Sequence, residues 1–245
     1  MARLLLILLV LALTALSMPT GWSEAEAKFY SGVSKEIQKL QGSDRIEQRM
    51  SCDLSKAKLP QTSEPLPDIP QGQKLLAVAV GRGTQNYTCD SDSGKPSAKG
   101  ALATLFDATC MAANYPHLLS ALAGAALHLD QPEPFSKDTG ISRMPVMGHH
   151  FFSNGTTAVF DLVKLGPSSV MKKGAVNAPK NEMREIFGQK SGSVPWLFLE
   201  SIPSSTGNAK TVYRVDTAGG MPPADCAGQP KDITVQYSSE YWFYG

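Results

Sequence analysis

An excess of charge of either sign is missing from this 245-residue chain: 23 Lys and Arg face 22 Asp and Glu, for a formal charge of +1. That balance disfavours a strongly basic nucleic-acid binder and an acidic solvating tail. Apolar runs of membrane-spanning length are missing too. A spanning helix needs about 20 apolar residues. The longest run, residues 4–13 continued by Thr14, Ala15 and Leu16, stops short of that before Pro19, and residues 118–129 are shorter and carry Ser120 and His128. Cysteine is scarce, four in all, and none stands in the CxxC or CxxH spacing of a zinc site. No G-x-S-x-G elbow, P-loop or complete G-x-G-x-x-G occurs, so no motif names a reaction or a cofactor. What is present, 42 % apolar and 18 % charged residues, fits a folded globular protein.

Arg3, the apolar run and the small residues Ala15 and Ser17 together make a secretory signal pattern, with cleavage expected after Ser17. Removal of residues 1–17 takes one basic residue and no acid, leaving 22 of each. The aromatic end, residues 241–245, is too short for a lipid-anchor signal. The expectation is a secreted, extracellular protein with no membrane span.

In that compartment Cys52, Cys89, Cys110 and Cys226 imply two disulfides, with three connectivities open. Cys89–Cys110 with Cys52–Cys226 is the preferred pairing, since it joins neighbouring elements and ties the N-terminal segment to the end of the chain. Two N-glycosylation sequons stand at Asn86-Tyr87-Thr88 and Asn154-Gly155-Thr156.

Residues 22–42 read as a helix: Ser23 and Glu26 form a capping box, Phe29, Val33, Ile37 and Leu40 share a face, and Gly42 ends it. A second short helical turn is expected over 44–50. Pro60, Pro65, Pro67 and Pro70 make residues 59–72 an extended connector. The organisation expected is therefore a signal at 1–17, a helical segment at 18–58, the connector, and a β-rich domain at 73–245. Within that domain strands are expected at 75–80, 83–89, 147–153, 156–162, 196–200, 211–216 and 233–244, with one inserted helix at 116–129. The fold class is all-β, an antiparallel β-sandwich or barrel. Asn154-Gly155 reads as a two-residue hairpin turn.

Five segments resemble a known family: residues 81–89 (GRGTQNYTC), 100–108 (GALATLFDA), 148–152 (GHHFF), 215–220 (VDTAGG) with Cys226, and 235–244. The family is a group of secreted, mostly fungal proteins of unknown function, with bacterial relatives, and the likeness spans about residues 50–245. It implies secretion and a shared fold but no established activity. In place of the expected asparagine this chain has Asp216. Automatic labels sometimes name such proteins malate dehydrogenase. Here Asn86 stands where the third glycine of a dinucleotide motif belongs, and an alternating strand follows in place of a helix, so that label is rejected.

Candidate chemistry is thin. A two-residue turn puts His150 opposite Val159 and diagonal to Asp161, a weak base-and-carboxylate candidate. The carboxylates Asp107, Asp161, Asp216 and Glu200 are candidates for a glycosidase pair. Asp90-Ser91-Asp92-Ser93-Gly94 begins like a calcium loop but lacks the later acids and reads as a solvated turn. Tyr237, Tyr241, Trp242, Phe243 and Tyr244 either fill a core or stack on sugar rings. The functional expectation is an extracellular binding protein for a cell-wall polysaccharide or a host or neighbouring surface. The alternatives are a hydrolase using His150 with Asp161 or a carboxylate pair, and a structural wall component.

Overall fold

The computed structural model describes residues 52–91, 94–127, 144–179 and 192–245. The signal expected at 1–17, the helix expected at 22–42 and the turn expected at 44–50 lie outside the described residues. All described residues belong to the second of two units of the chain, Ser43–Gly245.

Among the described residues eight strands run in chain order: β1 (Leu75–Thr88), β2 (Ser97–Asp107), β3 (Val146–Phe152), β4 (Ala158–Leu162), β5 (Gly166–Val176), β6 (Trp196–Ser201), β7 (Thr211–Gly219) and β8 (Asp232–Tyr244). Each pairs antiparallel with the next, and β8 returns to β1, closing an up-and-down barrel. Two helices, α1 (Thr109–Asn114) and α2 (Pro116–Ala126), follow β2. Closure leaves no free sheet edge. The runs expected at 75–80 and 83–89 are one strand, and β2 and β5 are additions to the sequence reading.

The inside of the barrel is filled by unequal partners. Ala77, Ala79 and Gly81 on β1 and Ala101 and Ala103 on β2 leave room for Phe160, Tyr241 and Phe243. A barrel of eight strands has an interior just wide enough for side chains to fill, so small residues on one wall must face large ones on the other. Glycine is required where neighbouring strands crowd β1. A Cβ on Gly81 would meet the Tyr241 ring at 2.6 Å, and one on Gly83 would overlap the backbone of Leu102 and Ala103.

One outer sector is buried as well. Val78, Val80, Trp242, Tyr244, Tyr213 and Phe198 form a second cluster, against which Leu119 and Ala126 of α2 pack, together with Leu59 and Leu66 of the proline-rich segment. This second layer explains why every residue of β7, and Tyr237 through Tyr244 of β8, is buried on both faces. Arg82, sandwiched there, donates to the carbonyls of Gly83, Tyr237 and Leu127 and to the Gln236 side chain. Its bond to Leu127 gives a carbonyl at the C-terminal end of α2 a donor.

Both disulfides differ from the preferred pairing: the bridges are Cys52–Cys110 and Cys89–Cys226. The reason is the barrel itself. Cys89 follows β1 and Cys110 follows antiparallel β2, so they sit at opposite ends of an 11-residue strand. At about 3.3 Å per residue that is roughly 35 Å, far beyond the reach of a disulfide.

Candidate functional site

The β3–β4 hairpin decides which face carries each histidine. Its connection is five residues long, 153–157, not two. Asn154 Oδ1 accepts from Thr157 N at 3.0 Å and from the Thr156 hydroxyl at 3.2 Å, and Ser153 N donates to Thr157 O. The asparagine side chain thus completes a wider turn of its own. The register becomes His150 opposite Phe160 and His149 opposite Asp161. A shift of one residue turns every side chain to the other face. The expected His150–Asp161 pair is therefore not formed: His150 points into the barrel, while Asp161 is exposed beside half-buried His149.

His150 is 3 % exposed and stacks on Phe160 with ring centroids 4.3 Å apart. Burial pushes its imidazole down to about 4; the bond to the Val159 carbonyl opposes this, and the Arg214 cation adds to it. The ring is therefore neutral near pH 7. Its Nδ1–H donates to Val159 O at 3.0 Å, the role a carbonyl partner dictates. For His149, burial lowers the pKa and the Asp161 charge acts in the opposite direction.

The carboxylate candidates lie on four different strands, Asp107 on β2, Asp161 on β4, Glu200 on β6 and Asp216 on β7, and none faces another across a ladder. Tyr237, Tyr241, Trp242, Phe243 and Tyr244 are all buried, which removes them as a stacking platform. Asp92 and Ser93 of the solvated turn lie outside the described residues. Among the described residues no three His, Cys, Asp or Glu side chains converge as a metal site.

The feature that sequence reasoning missed is a cavity of about 350 Å³ at the end of the barrel where β1 and β3 begin and β2 and β4 end. Ala77, Met147, Leu162 and Leu165 provide apolar wall, Asp107 and Lys164 add charge, and the Cys52–Cys110 bridge borders it. Val163, in the β4–β5 turn beside it, is 82 % exposed. Its volume falls within the range of small-molecule sites. The only trace in the sequence was the small size of Ala77, which means nothing until strand order puts it at a barrel mouth.

Two family descriptions match the chain. Residues 11–67 match a protein of unknown function, DUF2990, and residues 70–245 match a protein of unknown function, DUF3455. No curated protein and no solved structure matches. The second match takes in all eight strands and both helices, and the chain belongs to the DUF3455 family of proteins of unknown function.

Proposed function

We propose that this protein acts outside the cell as a binding protein whose barrel mouth takes a small, largely apolar molecule. The observation that carries the reading is the apolar cavity of about 350 Å³, walled by inward-facing side chains of β1, β3 and β4. Up-and-down barrels of eight strands hold one small ligand when their mouths are left unfilled. The polysaccharide expectation rested on aromatic side chains that are buried on both faces of β8. The export segment at 1–17 and glycans at Asn154 and Asn86 belong to the same reading. Asn154 lies on an exposed turn and Asn86 is half-buried in β1, so Asn154 is the better acceptor. Two disulfides, with no described helix long and apolar enough to cross a membrane, are compatible with secretion.

The test is fluorescence titration with the neutral probe N-phenyl-1-naphthylamine, using the purified disulfide-bonded protein and a mouth-filling Met147→Trp variant. Saturable enhancement in the wild type, weakened at least about tenfold in Met147→Trp, supports the reading. Absence of saturable binding by the wild type overturns it.

A further inference from the structure

The opposite half of the barrel contains a charge that no carboxylate of the described residues pairs. Arg214 lies on β7 between Tyr213 and Val215, which belong to the outer cluster, so its side chain faces inward with Val212. It is 9 % exposed, and its field reaches His150, Tyr87 and Tyr237. Its Nη2 donates to Pro195 O at 2.9 Å, but its Nε is fully buried and has no acceptor. Among the described residues no carboxylate lies within ion-pair distance of it. Half-buried Gln85 holds its amide nitrogen out of water, with the Tyr237 hydroxyl beside its side chain. Gln85 packs beside Gly220 and Tyr237, on the side of the barrel where β1 ends.

A buried guanidinium with no anion beside it is costly, because the charge has left water and gained no partner. The cost disappears when an anion is supplied from outside. His150 cannot share the positive role, because its ring is neutral near pH 7. Among the described residues the donor set therefore has one fixed positive charge, on Arg214, and the Gln85 amide, with no oxygen anion beside them.

We propose that Arg214 is the recognition group of an anion site inside the barrel, which takes the carboxylate of a small organic acid. The Nε edge of a guanidinium also carries Nη2, whose second hydrogen is available beside the one given to Pro195, and a carboxylate accepts from that edge through both of its oxygens. Gln85 supplies a further donor on the β1 side. This inference goes beyond the mouth cavity: it concerns the other half of the barrel and stands or falls independently of what the mouth binds.

The experiment titrates the purified, disulfide-bonded protein with acetate, with chloride at matched ionic strength and neutral acetamide as controls. Melting temperature and the Arg Nε–H resonances are followed together. Acetate is expected to raise the melting temperature and move the Arg214 Nε–H resonance, with neither effect from chloride or acetamide. Arg214→Met should lower acetate affinity at least about tenfold, as loss of a charge-assisted pair does. If Arg214→Met does not fold, the wild-type Nε–H resonance decides alone. An Arg214 resonance unmoved by acetate, or an acetate response that survives intact in a folded Arg214→Met, overturns the proposal.

Discussion

A neutral imidazole inside the barrel ties stability to pH through His150. In the unfolded chain a histidine takes up a proton near pH 6.5, whereas in the fold His150 holds off to about 4. Between those values the unfolded state binds more protons, so stability is complete above about pH 6.5 and falls as the pH drops toward 4. The difference corresponds to a loss of up to about 3 kcal/mol. Urea unfolding of wild type and His150→Leu at pH 7 and pH 4.5 should show the wild type losing more of its own stability than the variant. Equal losses would mean that other groups set the slope. A second residue-scale prediction concerns Asp216, whose φ of +45° is unusual outside glycine. Short polar side chains tolerate that region, which gives a physical reason for aspartate or asparagine here. Asp216→Asn should leave the melting curve nearly unchanged, while Asp216→Val should cost about 1–3 kcal/mol. The sequence showed Asp216 as a departure from a pattern, but the bent backbone beneath it, at the register shift between Val215 and Ala218, was not legible.

At the scale of elements, the strands that the sequence displayed are those rich in β-branched and aromatic residues, such as residues 75–80, 211–216 and 233–244. β2 and β5 escaped because their composition is wrong for a strand taken alone. Alanine and glycine in β2, and serine, lysine and glycine in β5, have poor strand propensity. Inside a narrow barrel, however, Ala101 and Ala103 fit because they are small. The hairpin failed for a different reason: Asn-Gly favours a two-residue turn, but the Asn154 side chain bonds forward to Thr156 and Thr157 and widens it. That odd-numbered slip moved His150 from beside a carboxylate to beside Phe160. The glycine pair Gly81 and Gly83, which could be mistaken for half a nucleotide motif, is explained by close approach. Gly83→Ala should cost at least about 2 kcal/mol, read as a lower urea midpoint, because the Ala103 Cα, 2.6 Å from the new methyl, is backbone and cannot move aside. An unchanged midpoint would show that β1 and β2 can separate there.

For the molecule as a whole, the bridges fasten opposite ends of the barrel. Cys89–Cys226 spans 137 residues and joins the end of β1 to the loop before β8; Cys52–Cys110 spans 58 and anchors the N-terminal flank to α1. Each restricts the unfolded chain, and loss of a bridge of this kind typically costs about 2–5 kcal/mol. Replacing Cys89 and Cys226 together by serine should lower the melting temperature by roughly 10 °C in calorimetry, given about 2–4 °C per kcal/mol for a domain of this size. A drop of only a degree or two would show that the strands hold this end unaided.

The β1–β8 seam also dictates timing. Leu75 pairs with Tyr244, so the first strand of the barrel finds its second neighbour only when the last one exists. During synthesis β1 leaves the ribosome with one flank open and its Val78 and Val80 face bare, and none of the described residues before it forms a strand. Pairings this distant are slow to form, on the order of milliseconds to seconds. Until its final strand emerges, the nascent chain keeps an unpaired strand edge and an apolar face open to wrong partners.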